Sequence, residues 1–264
     1  MANLKNNNQI LLKAEEVSLD FLNTESKDVY IKNEVNSSCY LYISNINDLD
    51  NLKIDLKEGS HLVLSVLFEN EIKDLNIAIN VGKSASLECY FADFSTGMLN
   101  LNCLVNLNEE NASAYVKLAS LSANKDDKKV NVSVEHKVAK TFARVDNYGV
   151  CKDMGKLLFA GISHIYEKAI KSKTEQNAKI MVFDEQSNAI AKPILKIDEN
   201  DIEASHAAVV GKINDEHLFY LTSRGISVAD AKQLITMGYL KPILAGFYNE
   251  QIKDYISSLI ERRM

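Results

Sequence analysis

The side chains that most often bind metals or act as nucleophiles are scattered along this chain of 264 residues. Its cysteines are far apart and form no C-x-x-C pair, so their spacing predicts neither a local zinc site nor a disulfide framework. They are Cys39, Cys89, Cys103 and Cys151, and we expect reduced, mostly buried thiols. The histidines are equally dispersed, at His61, His136, His164, His206 and His217.

The surroundings of His206 set it apart from the other histidines. It lies in the segment EASHAAVV, where small residues flank one imidazole. Small neighbours permit the close approach of another chain or a ligand, and a neutral imidazole binds iron or zinc. His206 is therefore the candidate metal ligand, and a hydrogen-bonded structural histidine is the alternative. The other four histidines fall in turns, strands or a helical first turn, where structural roles are expected.

Motifs of the common enzyme classes are absent from the sequence. There is no G-x-S-x-G elbow, H-E-x-x-H helix or G-x-G-x-x-G turn. The segment Gly82-Lys83-Ser84 imitates the end of a phosphate-binding loop, but Ile77 stands where the first glycine of that loop should be. No active site is therefore indicated by motif.

Strands are predicted to position His206, because apolar residues alternate with polar ones over much of the chain. This pattern is shown by Leu75, Ile77, Ile79 and Val81. The dipeptides Asn-Gly and Asp-Gly, which are typical of tight β-hairpin turns, are absent from the sequence. Many short strands without such turns favour a solenoid with broad corners, and a sandwich stays open as the second option. Further strand-like runs cover 29–43, 62–68, 99–107, 112–118, 130–134, 180–183 and 194–197.

After about residue 213 the period changes to that of helices. Asn214 or Asp215 can cap a short helix that ends at Gly225, and Ser227 with Asp230 resembles a capping box. An apolar stripe then follows to Gly238. Its members are Ala231, Leu234 and Ile235.

A last helix is predicted after that stripe. Its first turn would contain Pro242, and its apolar stripe would use Phe247, Ile252, Ile256, Leu259 and Ile260. We therefore divide the chain into a β-rich body, 1–212, and a helical segment, 213–264. Such a tail either caps the open end of a strand solenoid or offers a surface to a partner.

The charge balance and hydropathy narrow the class of partner. A net charge of −6 and a pI near 5.5 argue against a nucleic-acid groove, and the Lys128-Lys129 pair is interpreted as a solvated turn. The N-terminus has no apolar signal region, and no later run is long enough to span a bilayer. We expect a cytoplasmic protein that binds neither nucleic acid nor membrane.

The stretch from about residue 134 to 244 resembles the C-terminal half of the SufB/SufD family. Its strongest piece is ASH at 204–206, followed by GKI at 211–213 and LFYLTSRGI at 218–226, similar to the family pattern SHGATxG…LFYLxSRGI. Several upstream residues keep the order and spacing of the same family. They are His136, Arg144, Gly149, Gly161, Gln176 and the segment KPILKI at 192–197.

This resemblance implies a mainly β fold, a right-handed parallel β-helix with a C-terminal helical domain that docks an ATPase. It further implies a non-enzymatic scaffold subunit in iron-sulfur cluster assembly, working with a SufB-type sister subunit and a SufC-type ATPase. His206 matches the histidine that SufD-type subunits contribute at the interface with the sister subunit. The family's ATPase-docking region matches Phe219, Tyr220, Arg224, Gly225 and Ile226, although the two aromatic residues could instead pack the helices together.

Departures from the family pattern refine these expectations. Ala204 stands where many relatives have cysteine, and Ala207 and Val209 replace the usual glycine and threonine. SufB-type subunits carry a cysteine and a Glu-His pair here, so the D-type branch is assigned. We expect a homodimer when the chain is alone, no stably bound cofactor, and at most a transient cluster shared with a partner. Because alternating strands begin close to residue 10, the N-terminal helical region of longer relatives is expected to be missing.

Three other interpretations stay open. A β-helix carbohydrate-active enzyme would need clusters of Asp, Lys and Arg along a groove and is usually exported. A polymerising structural solenoid would need open ends, which C-terminal helices could block. A degenerate family member would keep the fold and the ATPase contact but would have lost cluster chemistry, in line with the alanine at 204.

Overall fold

Two parallel β-sheets form the body of the protein. The computed structural model describes residues 9–12, 15–21 and 27–264. Within these residues, sheet A contains β1 Gln9–Leu12, β3 Asp28–Asn33, β5 Asn51–Leu56, β7 Ile72–Val81, β9 Met98–Leu107, β11 Asp127–His136, β13 Lys156–Ile165 and β15 Asn188–Ile197. Sheet B contains β2 Glu16–Asp20, β4 Ser38–Ser44, β6 His61–Phe68, β8 Ser86–Asp93, β10 Ser113–Ser122, β12 Phe142–Cys151, β14 Ser172–Val182 and β16 Ile202–Lys212.

Each strand pairs with the strand two places along the chain, always in parallel. Successive strands therefore alternate between the sheets, and each turn of the chain adds one strand to each sheet. This topology is a parallel β-helix, so the predicted solenoid is confirmed and the sandwich, which pairs antiparallel strands, is wrong.

The corners explain why hairpin dipeptides are missing from the sequence. Many corners contain a residue in a left-handed conformation, for example Asn36 at φ 54°, Gly59 at φ 67°, Ser84 at φ 52° and Asn111 at φ 59°. Asparagine and glycine tolerate this region best. Successive corners hydrogen-bond to one another, as Asn36 N donates to Glu58 O at 2.9 Å and Gly59 N donates to Lys83 O at 2.9 Å.

Alternation along the strands builds the interior of the β-helix. Inward-facing residues stack in columns set by the strand register, such as Leu41, Leu64, Cys89, Val116 and Val145 on sheet B. All five are buried. Stacked Leu, Ile and Val side chains fill most of the core, and their burial supplies the main favourable free energy of folding.

The C-terminal segment contains α1 Asp215–Ser223, α2 Val228–Leu240 and α3 Glu250–Arg262, with a 3₁₀ helix at Lys241–Gly246. The predicted caps are confirmed: Asn214 Oδ1 accepts from Glu216 N at 2.8 Å, and Ser227 Oγ accepts from Asp230 N at 3.1 Å. Gly225 follows α1 at φ 87°, as expected for a helix stop.

The helices pack against the outer face of sheet B and leave the last turn of the β-helix uncovered. A second apolar cluster joins Phe247, Ile256 and Ile260 to outward-facing residues such as Tyr90 and Leu121. The interpretation that the tail caps the open end is therefore wrong, and the helices do not block that end against end-to-end stacking.

Two helix predictions need correction. Ala231 is buried as predicted, but Leu234 is exposed and Ile235 only half-buried. Helix α2 buries Thr236 and Leu240 in their place, because the packed face is set by where the helix crosses sheet B. Pro242 lies in the first turn of the 3₁₀ helix, and α3 begins later, capped by Asn249. Gly238 does not end α2, which runs to Leu240.

The predicted solvated turn at Lys128-Lys129 is also wrong. Both residues lie in β11, and Lys128 is buried with its ammonium 2.9 and 2.8 Å from the two carboxylate oxygens of Asp93. Ser95 Oγ donates to the same carboxylate at 2.6 Å. A buried charge is tolerated only when paired and hydrogen-bonded in this way.

None of the helices among the described residues is both long and apolar enough to cross a membrane.

Candidate functional site

The last turn of the β-helix forms an open end. Among the residues that the structure describes, β15 and β16 are the outermost strands of their sheets, and each is paired on one side only. Ile190, Ile194, Val209 and Val210 lie exposed on these two strands. An unpaired edge with exposed apolar residues is a template for pairing with another strand.

His206 lies in β16 and faces the interior of this open end. The register places it beside Gln176 of β14, which in turn lies beside Val145 of β12. His206 thus continues the inward column that is apolar in earlier turns. Its side chain is exposed because the described residues place no further turn over it.

The interior becomes polar in the turns next to His206. Asn147, Thr174, Gln176 and Ser163 are all buried, yet each has one oxygen without a hydrogen-bond partner among the described residues. Asn147 and Gln176 also line a small cavity of about 10 Å³ with Val145, Phe159 and Gly161. Buried polar atoms usually have partners, so this cluster is unusual for a solenoid core. The sequence contained these residues, but only the register shows that they face inward together.

The cysteines occupy apolar surroundings, as predicted. All four are buried free thiols. Burial raises the pKa of Cys151 to about 11 and that of Cys103 to about 12, so both stay protonated near neutral pH. Cys151 Sγ also lies 3.1 Å from Gly155 O. In the described part of the chain, no three His, Cys, Asp or Glu side chains are arranged to hold a metal ion.

The other histidines have structural partners. His136 ends β11 and is buried, with Nδ1 2.8 Å from Thr141 Oγ1. His61 begins β6, and its Nδ1 lies 2.7 Å from Ser86 Oγ. His217 is in the first turn of α1, as predicted.

A cluster around His164 was not predicted from the sequence. Its Nε2 lies 2.6 Å from Asp198 Oδ2 and its Nδ1 lies 3.8 Å from Glu135 Oε2. The hydrogen bond from His164 lowers the pKa of Asp198. Glu135 and His164 are direct neighbours on the paired strands β11 and β13. Their spacing in the sequence alone does not indicate this proximity.

Helix α1 and the three residues that follow it contain the predicted partner-binding residues. Phe219 is 73% exposed and Tyr220 55% exposed, so neither packs the helices together. The Arg224 guanidinium lies 4.7 Å from the centre of the Tyr220 ring, within cation–π range. No residue of α1 is buried, and Ile226 beyond Gly225 is half-buried. The helix therefore presents an aromatic and cationic surface, which we call the α1 surface, consisting of Phe219, Tyr220 and Arg224.

Comparison with known proteins relates this arrangement to one family. A family profile described as SUF system FeS cluster assembly, SufBD core domain, matches residues 24–239. The iron-sulfur cluster assembly protein SufD of Bacillus subtilis is 38% identical over 117 residues, which are 44% of this chain and 27% of that protein. The SufD protein of Escherichia coli is 26% identical over 167 residues, which are 63% of this chain and 40% of that protein.

A SufBD family protein of Staphylococcus saprophyticus is 33% identical over 107 residues, which are 40% of this chain and 23% of that protein. The chain thus aligns with less than half the length of each of these relatives. The profile, in contrast, spans most of the chain, including every strand from β3 onward, α1 and nearly all of α2. The chain therefore belongs to the SufB/SufD family of the iron-sulfur cluster assembly system, and it is SufD-like.

Proposed function

We propose that this chain is a non-catalytic, SufD-like scaffold subunit that pairs with a SufB-type sister subunit and docks a SufC-type ATPase in the cytoplasm. The observation that carries the proposal is the open end, where His206 faces the interior beside an unpaired strand edge. A scaffold that shares a cluster site with a second subunit needs a ligand on the surface that the partner closes.

Pairing through the open end is supported by its chemistry. Strand addition satisfies the free backbone groups of β15 and β16, and burial of Val209, Val210 and Ile194 supplies apolar contact. His206 would then lie between the two interiors. Because Ala204 replaces the family cysteine, a thiolate at this site would come from the sister subunit, and the nascent cluster would be cargo held only in the complex.

ATPase docking is assigned to the α1 surface. An exposed aromatic pair beside a planar cation is typical of residues that dominate binding at protein interfaces. The helix contributes little to its own chain's core, which leaves this surface available for a partner.

The test is co-expression of this chain with its cognate SufC-type ATPase and SufB-type sister, followed by size-exclusion chromatography with light scattering. Phe219→Ala or Arg224→Ala is expected to weaken ATPase association at least tenfold, as for an interface hot spot. His206→Ala is expected to keep the ternary complex and to reduce the iron and sulfide recovered with it.

The matched control is Arg262→Ala, because the Arg262 guanidinium stacks 5.7 Å from the centre of the Tyr255 ring on α3. That variant removes a comparable arginine–tyrosine pair away from α1 and is expected to bind as wild type does. Absence of any association with either partner would overturn the proposal. A complex that forms but recovers the same iron and sulfide with and without His206 would indicate a subunit without cluster chemistry.

A further inference from the structure

The interior next to His206 contains an acceptor that no donor reaches. Gln176 is 4% exposed, and its Oε1 has no hydrogen-bond partner among the described residues. Leaving a buried amide oxygen unpaired costs free energy comparable to a lost hydrogen bond. A donor side chain is therefore expected to approach the Gln176 oxygen.

The register places one candidate donor beside this oxygen. Gln176 and His206 are direct neighbours on β14 and β16, and both face inward. Adjacent strands lie about 4.8 Å apart, so an amide on two methylene groups and an imidazole in the same column can reach each other. The ring of His206 is free to turn because it is exposed at the open end.

Among the described side chains that face inward beside His206, the only other acceptor is the Thr174 hydroxyl, which pairs with Ala204 and lies one inward position away from the column of His206. Inward-facing positions beside it on β14 are Thr174 and Ala178, and those opposite on β15 are Ala191, Pro193 and Leu195. The charged residues of these strands face outward, where Lys173 Nζ bonds Glu175 at 3.3 Å and Glu203 at 3.1 Å. Gln176 is thus the acceptor that the column offers to the imidazole.

We propose that Gln176 is a positioning residue for His206: its Oε1 accepts a hydrogen bond from one ring N–H and so fixes the tautomer of the imidazole. The other ring nitrogen then keeps its lone pair directed toward the open end. A metal or a partner's donor group would meet a preorganised ligand there, as second-shell partners of ligating histidines do elsewhere. This ligand role rests on the proposed function, whereas the hydrogen bond itself does not.

The test is nitrogen-15 NMR of the histidine side chains in the isolated chain at alkaline pH, where the neutral tautomers are resolved. Gln176→Met keeps the side-chain length but removes the acceptor. It is expected to change the tautomer ratio of His206 by about two- to tenfold, the range set by the net worth of one hydrogen bond. The control, Thr174→Val, alters a buried neighbour in β14 that pairs with Ala204 instead. It is expected to leave the ratio unchanged.

An unchanged ratio in Gln176→Met, or an equal change in both variants, would overturn the proposal. If Gln176→Met does not fold, the wild type alone decides. A ring N–H of His206 protected from exchange with water supports the hydrogen bond, and a ring that exchanges as fast as free histidine contradicts it. Because no partner protein is present, failure here leaves the pairing and docking proposals intact, and their failure leaves this one intact.

Discussion

Burial determines the protonation state of one histidine of this molecule, His136. His136 is fully buried at the end of β11, where Nδ1 meets Thr141 Oγ1 and Nε2 has no partner among the described residues. Desolvation lowers the pKa of His136 to about 4. His136 is therefore neutral in the folded protein at physiological pH.

This burial predicts a dependence of stability on pH. His136 has a pKa of about 4 when folded and 6.5 as its ordinary value, so between these pH values the unfolded chain binds more protons. The free energy of unfolding is expected to fall by about 3 kcal/mol as pH drops from the upper to the lower value. Urea titrations across this range would measure it.

Replacing His136 by Gln removes the titrating group, so the variant should lose most of that slope. His61→Gln serves as control, since His61 is only partly buried, and it should keep the slope of the wild type. An equal slope in wild type and His136→Gln would show that other groups cause the acid sensitivity.

Contacts between side chains that are far apart in the sequence could not be predicted from the sequence. The buried state of the cysteines followed from their apolar, strand-like surroundings. The Lys128–Asp93 ion pair and the His164–Asp198 hydrogen bond did not, because their partners are 35 and 34 residues apart along the chain. Only the stacking of turns brings them into contact.

Elements that depend on local chemistry were predicted better than the way they pack. The caps at Asn214 and Ser227 were predicted because a capping side chain bonds the backbone two or three residues ahead. The buried face of α2 was not, because it depends on where the helix crosses sheet B. The exposure of Leu234 is the result.

Two glycines of the helical segment are expected to respond in opposite directions to the same substitution. A Cβ at Gly246 would lie 2.0 Å from Cγ of the Tyr90 ring, where the 3₁₀ helix meets sheet B. Gly238 lies inside α2 with nothing within 4 Å of the added atom. Gly246→Ala should cost about 1–3 kcal/mol by overpacking, and Gly238→Ala should add about 0.5–1 kcal/mol through helix propensity.

Urea unfolding of both variants measures this difference, and each variant controls for the other because both changes add one methyl group. Equal effects of the two substitutions would mean that the 3₁₀ helix is not held against Tyr90.

At the scale of the whole molecule, the open end predicts self-association. We expect the purified chain to form a dimer of twice the 29.5 kDa chain mass through β15 and β16. Val209→Lys should yield the monomer, because lysines on an edge strand oppose strand pairing and would face each other across a two-fold axis. Light scattering after size-exclusion chromatography gives the mass.

Leu104→Lys is the matched control. Leu104 is 37% exposed on the outer face of sheet A, whereas Val209 is 55% exposed on the terminal strand. The Leu104 variant should remain a dimer. Species much larger than a dimer would instead favour the polymerising solenoid, which the uncovered end permits.

The architecture as a whole was predictable from alternation, missing hairpin turns and the family motif near His206. The candidate site was predictable only in part. His206 was found by its small neighbours, but its inward direction, the buried Gln176 beneath it and the polar interior required the strand register. A shift of one residue would have turned every one of these side chains outward.

The packing of the helices on sheet B also bears on how the protein is made. A chain leaving the ribosome completes its β-strands before the helices exist, since domains form from the N-terminus during synthesis. Until the segment with Phe247, Ile256 and Ile260 emerges, the outer face of sheet B exposes Val63, Tyr90 and Leu121 to water. Nascent chains stalled in this interval would carry a broad apolar patch, and we expect them to aggregate more readily than the finished chain.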